Sequence, residues 1–197
     1  MTRQLDLRSG RPVWMAYRAP RVGTSTLASD LRAEVLVVGM GISGAMLAEA
    51  LTAAGRKVVM IDRRGPMQGS TPATTALVQF EIDQPLTRLT AQIGRERAER
   101  AWIRSRLAVA NLKARVEQLG LRARMVPRPS LYLAGDLMDG DALRDEAAAR
   151  AAAGIAARYL DARTLREDWG FDRPGAILSH DNLELDPRRL TAGLLNL

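Results

Sequence analysis

The chain has 197 residues, of which 47% are hydrophobic, so it can bury a core and is not disordered throughout. It contains no cysteine, which excludes disulfides, thiolate metal sites and cysteine-linked cofactors within these residues. The formal charge of +7 comes mostly from arginines interleaved with acidic residues, as in Glu96 and Arg100, which favours solvated helix faces over a nucleic-acid-binding surface.

The N-terminal segment is polar and irregular. It lacks the apolar core of a secretory signal, and no apolar run in the chain reaches the length of a membrane span. We therefore expect a cytoplasmic protein without a membrane span. Residues 1–30 are interpreted as an arm that lies over the body, with Trp14 and Tyr17 as its packing anchors.

Residues 35–62 carry the strongest signal in the chain. Four apolar residues, Val35–Val38, predict a buried parallel strand, and glycines follow at the spacing of a dinucleotide-binding turn. In such a turn Gly39 permits a tight exit from the strand, Gly41 lets the backbone approach a pyrophosphate, and Gly44 lets the next helix pack closely. That helix is expected to begin near Ile42, with its free N–H groups facing the phosphates. The residues expected at this phosphate site are Gly39, Met40, Gly41, Ile42, Ser43 and Gly44.

A second buried strand, Val58–Ile61, delivers the chain to Asp62. A carboxylate at the end of this strand can accept hydrogen bonds from the ribose hydroxyls of an adenosine. The next two residues, Arg63 and Arg64, are expected with Asp62 among the cofactor-binding residues. They suggest the 2′-phosphate of a nicotinamide dinucleotide, but Asp62 would repel that phosphate.

The loop after Asp62 is rich in small and hydroxylated residues. Such a loop can hydrogen-bond a dinucleotide's pyrophosphate or pass beneath its ring, and the alternative is a locally capped turn. Because the loop follows directly from the glycine turn and the acid, we expect it to contact the cofactor. The residues expected there are Ser70, Thr71, Thr74, Thr75 and Ala76.

Helices and strands alternate over the rest of the chain. Pro85 is expected to open a helix capped by Asp83, and Pro127 and Pro129 are expected to separate two short strands, 125–126 and 131–134. The other expected elements are helices over 95–119, 142–155 and 164–169, an extended pair 159–160, a strand over 176–179 followed by a loop, and a last helix opened by Asp186 and Pro187.

The single histidine, His180, stands in that expected loop beside Asp181 and Asn182. A general base needs a partner and a substrate within reach, and the sequence provides neither for His180. No spacing of histidines or carboxylates predicts a metal site or a hydrolytic site.

The spacing GxGxxGxxxAxxLxxxGxxVxxxD over residues 39–62 resembles the FAD-dependent oxidoreductases of the D-amino-acid oxidase superfamily. Two later segments are similar to parts of the same family. GSTPATTALV resembles its second flavin-contacting loop, and LELDPRRLTAGLL resembles a turn that leads a helix back to the flavin domain. Asp62 stands where the family more often has glutamate.

The resemblance implies an α/β fold. It consists of a Rossmann-like FAD-binding domain with a glutathione-reductase-type βαβ unit and parallel sheet, plus part of an α+β substrate domain, truncated at the C-terminus. The implied organisation is an arm (1–30), an FAD-binding segment (31–82), helices and strands leading into the substrate domain (83–175), and an incomplete return to the FAD-binding domain (176–197).

The resemblance also implies function. It points to an FAD-dependent oxidoreductase that oxidises an amino acid or secondary amine by hydride transfer to flavin N5, with non-covalent FAD and a small-molecule substrate. Catalytic residues are expected beyond Leu197, so the isolated chain is expected to be inactive. The open alternatives are oxidation of a 2-hydroxy acid or polyol, an NAD(P)-binding oxidoreductase, and an inactive truncated nucleotide-binding domain. Oligomeric state is left open.

Overall fold

The computed structural model describes residues 10–197, and the first nine residues of the expected arm lie outside that range. The chain forms two compact units. The first takes in the chain up to Ala76 together with Gln118–Arg124 and Leu185–Leu197, and the second comprises Leu77–Glu117 and Met125–Glu184.

In chain order the helices and strands are β1 Val35–Val38, α1 Ile42–Ala53, β2 Val58–Ile61, β3 Leu77–Val78, α2 Leu86–Ile93, α3 Arg95–Gln118, β4 Val126–Leu133, α4 Gly140–Ala152, β5 Ala157–Asp161, α5 Ala162–Trp169, β6 Gly175–Glu184 and α6 Pro187–Leu195. Two short 3₁₀ turns, Val13–Ala16 and Thr71–Ala73, complete the set. No helix of the described residues combines the length and the apolar character needed to cross a bilayer.

The first unit is built on a βαβ arrangement. Strands β1 and β2 pair in parallel, with Val35 opposite Val58 and Val38 opposite Ile61, and α1 connects them. Two parallel strands start at the same end of the sheet, so the chain must return to that end before the second strand begins. A tight turn cannot do this, and a helix such as α1 can. The predicted strand–helix–strand segment is thus confirmed with its boundaries. The C-terminal helix α6 packs against α1 in the same unit.

The second unit is built on an antiparallel sheet in which β6 pairs with β3, β4 and β5. Successive residues of β6 point to opposite faces of the sheet. Ile177 packs with Leu143 and Ala147 of α4, whereas Ala176 and Leu178 pack with Leu165 of α5. The sheet is therefore covered by apolar residues on both faces.

Two strand predictions were wrong. The expected short strands at 125–126 and 131–134 are one continuous strand, β4, which runs through Pro127 and Pro129. Its register against β6 shifts between Arg128 and Ser130, and such an irregularity tolerates a residue that has no N–H to donate. The loop expected after residue 179 is instead the second half of β6, because Asn182 and its neighbours pair with β4.

The expected cap of α2 was also wrong. Asp83 does not cap this helix. The carboxylate of Glu146, on α4, accepts hydrogen bonds from the backbone N–H groups of Leu86 and Thr87, each 2.8 Å away. Burial raises the pKa of Glu146, but the hydrogen bonds to its ionised form outweigh burial, so the pKa lies below its ordinary value.

Candidate functional site

The turn after β1 is closed by a backbone hydrogen bond. Gly39 N donates to Ile61 O at 2.8 Å, and Gly39 has a φ of +112°. Side-chain-bearing residues are strained at this φ, so the tight exit requires glycine. The end of β1 is thereby joined to the end of β2.

Gly44 lies in the first turn of α1, directly against this exit. A Cβ built on Gly44 would lie 2.0 Å from the carbonyl oxygen of Gly39, far inside van der Waals contact. A Cβ on Gly41 would lie 3.2 Å from Thr71 Oγ1. The absence of a side chain at Gly44 thus lets α1 pack against the carbonyl group of Gly39. The absence of a side chain at Gly41 lets the loop that carries Thr71 approach the turn.

The N-terminus of α1 presents backbone donors. Gly41 is the cap residue and has no side chain to satisfy them. The amides of Ser43 and Gly44 have no acceptor within the helix, because the first turn has no preceding carbonyls. Ile42 N donates to the hydroxyl oxygen of Thr71 at 3.1 Å. Free amides together with the positive end of the helix dipole form an environment suited to an anion.

Asp62 turns its carboxylate toward this same turn. Oδ2 accepts from Met40 N at 2.9 Å, and Oδ1 accepts from Arg64 N at 2.8 Å. The hydrogen bond from Met40, followed by that from Arg64, holds the pKa of Asp62 below its ordinary value despite some burial. The carboxylate therefore remains ionised at neutral pH beside the N-terminus of α1.

The two arginines after Asp62 are exposed. The side chain of Arg64 lies over Gly69, where an added Cβ would be 3.0 Å from its Nη2. Between Arg64 and Gly69 the chain folds back on the glycine turn, since Met67 N donates to Met40 O at 3.0 Å. Arg63 has no contact of this kind with the turn.

The loop residues divide between two roles. Thr71 is buried and reaches the start of α1, as described above. Thr74 bonds locally, its hydroxyl accepting from Ala76 N at 3.1 Å, and Ala76 is buried with a φ of +60°. Ser70 and Thr75 are exposed. The structure thus brings Thr71 to the start of α1, among the residues expected at the phosphate site, and places the hydroxyl of Thr74 in a capped turn.

Trp14 and Tyr17, the expected anchors of the arm, do contact this unit, but the sequence did not indicate their partners. Trp14 Nε1 donates to Thr74 O at 2.8 Å, so the arm lies against the loop. Arg188, at the start of α6, donates from Nη1 to the carbonyl oxygens of Trp14 and Tyr17 at 3.0 and 2.9 Å. The pairing of Trp14 with a loop carbonyl has no local sequence signal, because the partners are sixty positions apart.

A catalytic group does not emerge from the described residues. His180 lies exposed on β6, and within residues 10–197 no three histidine, aspartate or glutamate side chains are grouped to hold a metal ion. In the first unit, the polar groups that could bind a ligand lie at the glycine turn, Asp62 and Thr71.

Comparisons with known proteins bear on this site. The family model described as FAD dependent oxidoreductase, DAO, matches residues 34–197. No curated protein matches the chain. Among solved structures, L-amino acid deaminase from Proteus vulgaris superposes with a TM-score of 0.66 at 18% identity over 90% of this chain and 44% of that one.

Two further solved structures show the same fold. Glycine oxidase from Bacillus cereus matches with a TM-score of 0.60 and 16% identity, over 84% of this chain and 43% of its own. L-alpha-glycerophosphate oxidase from Mycoplasma pneumoniae, with FAD bound, matches with a TM-score of 0.59 and 17% identity, over 83% and 41%. The predicted fold class is confirmed, and the chain spans less than half the length of these structures.

Proposed function

Because this chain belongs to the DAO family of FAD-dependent oxidoreductases, we propose that it supplies the FAD-binding half of an enzyme that oxidises an amino acid or a secondary amine. The observation that carries the proposal is the meeting of the Asp62 carboxylate with the glycine turn at the N-terminus of α1. FAD is the cofactor of the family, and the nicotinamide alternative is not retained.

The residues of the first unit fit a bound pyrophosphate. In the proposed arrangement the amides of Ser43 and Gly44 hold it, since an anion satisfies helix N–H groups that have no internal acceptor. The Thr71 hydroxyl accepts from Ile42 N and still has its own O–H to donate to a phosphate oxygen. A side chain at Gly41 would crowd this hydroxyl.

Asp62 is proposed to hold the adenosine ribose. Its two oxygens each accept one backbone hydrogen bond, and a carboxylate has about four acceptor positions in total. Capacity therefore remains for ribose hydroxyls. The lowered pKa keeps the group ionised, which strengthens hydrogen bonds from those hydroxyls.

FAD, when bound, would supply the acceptor for a hydride from the carbon next to the substrate nitrogen. The part assigned to this chain is to bind and orient the cofactor, not to move protons. The amine class is supported by two neighbours of the same fold, which carry the names glycine oxidase and L-amino acid deaminase. A hydroxylated substrate is the second candidate, because another neighbour is an L-alpha-glycerophosphate oxidase.

Cofactor binding is tested by titrating the purified chain with FAD and, separately, with NADH in a calorimeter. The expected result is saturable binding of FAD and weaker or no binding of NADH. If NADH binds more tightly than FAD, the proposal is wrong. Dye reduction by the intact enzyme with a panel of amines, amino acids and 2-hydroxy acids then decides between the two substrate classes.

A further inference from the structure

The arm is held along α6 by hydrogen bonds to its backbone. Carbonyl oxygens of the arm accept these bonds, and side chains of the helix and its C-terminal cap donate them. Arg188, in the first turn of α6, donates from Nη1 to Trp14 O at 3.0 Å and to Tyr17 O at 2.9 Å. Asn196, which caps the other end of α6, donates from Nδ2 to Arg21 O at 3.0 Å. The arm is therefore fixed to α6 at both ends of the helix.

A side chain of the arm reaches the loop of residues 70–76. Trp14 Nε1 donates to Thr74 O at 2.8 Å. The 3₁₀ turn of the arm, Val13–Ala16, also packs against the 3₁₀ turn of the loop, Thr71–Ala73. An indole N–H can only donate, and it does so in the plane of the ring, so this bond fixes the loop carbonyl relative to the arm.

A short and stiff segment links Thr74 to Thr71. The intervening 3₁₀ turn is closed by a backbone hydrogen bond of 2.9 Å from Ala73 N to Ser70 O. Pro72 lies buried within it, and the proline ring restricts the backbone to one φ. The two ends of the turn therefore move together, so a displacement of Thr74 also displaces the side chain of Thr71.

The other end of this turn meets the N-terminus of α1. Thr71 is buried, and its hydroxyl oxygen accepts from Ile42 N at 3.1 Å. Gly41 leaves room for this contact, since a Cβ there would lie 3.2 Å from Thr71 Oγ1. A displaced loop would take this acceptor away from the Ile42 amide and the hydroxyl away from the proposed phosphate site. Contacts thus run without interruption from Arg188 through Trp14 and the loop to the first residue of α1.

We propose that the arm is a strap that positions Thr71 for FAD binding. Arg188 holds the arm on α6, Trp14 holds the loop, and the loop places the Thr71 hydroxyl at the N-terminus of α1. Trp14 and Arg188 are positioning residues, because they act on the cofactor site through Thr71. The effect on FAD rests on the proposed function, whereas the placement of Thr71 is measured on the flavin-free chain.

The first measurement follows backbone amide exchange by NMR in the flavin-free chain. Trp14→Phe removes the indole N–H and keeps an aromatic ring. We expect the Ile42 amide to exchange about three- to tenfold faster in this variant, the range that one lost hydrogen bond gives. The Met40 amide is the internal control, because its acceptor is Asp62 and its exchange rate is expected to stay unchanged. Trp169→Phe, which replaces an exposed tryptophan at the end of α5, is the control variant.

The second measurement is a calorimetric titration with FAD. Trp14→Phe is expected to weaken FAD binding about three- to tenfold, and Arg188→Ala to weaken it to a similar degree because it frees the arm from α6. The double variant is expected to lose little more than either single variant, since both residues act through one chain of contacts. Arg104→Ala, which replaces an exposed arginine on α3, is the control. Circular dichroism establishes that each variant is folded before it is titrated.

Three results would overturn the strap. The first is a folded Trp14→Phe chain whose Ile42 amide exchanges as slowly as in the parent chain. The second is equal acceleration at Ile42 and Met40, which would mean that the arm only stabilises the unit as a whole. The third is unchanged FAD affinity in both Trp14→Phe and Arg188→Ala. A parent chain that binds no FAD would instead overturn the proposed function, and the exchange rates would still decide whether the arm places Thr71.

Discussion

Asp62 accepts a hydrogen bond from the backbone N–H of Met40 at 2.9 Å, so the residue that ends the second strand is joined to the turn that ends the first. The carboxylate therefore does two things in the proposed site. It fixes the conformation of the glycine turn, and it stays ionised next to the helix N-terminus.

Replacement of Asp62 by asparagine tests this double role. The amide lacks the charge and presents one acceptor oxygen, so the turn amide or the ribose hydroxyls lose a partner. We expect FAD affinity to fall by about tenfold or more, the usual cost of a charge-assisted hydrogen bond. Calorimetric titration with FAD measures the change. Asp168→Asn, an exposed aspartate in α5, serves as the matched control, and an equal loss in the two variants would contradict the assignment.

Replacement of Gly44 by alanine tests the close packing of α1. The added Cβ would lie 2.0 Å from the Gly39 carbonyl oxygen, so the helix has to move away from the turn. We expect a lower melting temperature and a loss of FAD binding, read by thermal denaturation with and without FAD. Gly23→Ala is the control, because nothing lies within 4 Å of its Cβ position. A Gly44→Ala chain that melts and binds like the parent would show that the contact is not required.

The buried pair Glu146 and Arg150 makes a separate prediction about stability. Glu146→Ala removes the cap of α2 and leaves the Arg150 charge uncompensated, so we expect a loss of about 3–5 kcal/mol in the free energy of unfolding. Urea denaturation measures it. The exposed ion pair of Asp141 and Arg144 provides the control, because Asp141→Ala is expected to change the free energy of unfolding little.

The pH dependence of unfolding follows from the same residue. The pKa of Glu146 is lower in the folded chain than its ordinary value of 4.5, so its stabilising effect is fully present above that value. As the pH falls through the folded pKa, protonation removes the effect and the free energy of unfolding decreases. Urea titrations at pH 7 and in the acid range below 4.5 are expected to show this decrease, and Glu146→Gln to reduce it. An unchanged acid dependence in that variant would contradict the prediction.

The isolated chain of 197 residues is expected to reduce no dye in the presence of amines, even where it binds FAD. Its described residues offer no catalytic group at the glycine turn, and it spans 44% or less of the length of the matched structures cited above. Amine-dependent dye reduction by the purified chain would refute this expectation.

Local patterns were sufficient where structure depends on neighbours in the chain. The apolar run Val35–Val38, the glycine spacing and the run Val58–Ile61 each specify a conformation over a few residues, so the βαβ unit and its boundaries could be predicted. The same holds for α6, whose cap Asp186 accepts from Arg188 N and Arg189 N in its own first turn.

Contacts between residues that are distant in the chain could be seen only in the tertiary structure. The polar stretch at 180–184 resembles a loop, yet it is strand because Leu183 and Glu184 pair with both β3 and β4. Asp83 is a suitable cap by position, yet Glu146 caps α2 from sixty residues away. These choices depend on which segments meet, and the entropy of closing long loops is compensated only by the packing of the whole unit.

The same distinction between local and distant contacts applies to the candidate site. The sequence alone determined that a glycine turn, a helix N-terminus and an acid follow one another at the spacing of a dinucleotide site, because that spacing is a property of neighbouring residues. The tertiary structure alone decided that Asp62 holds the Met40 amide and that Thr71 rather than Thr74 reaches α1. Side-chain directions of this kind are set by contacts between segments that are remote in the chain.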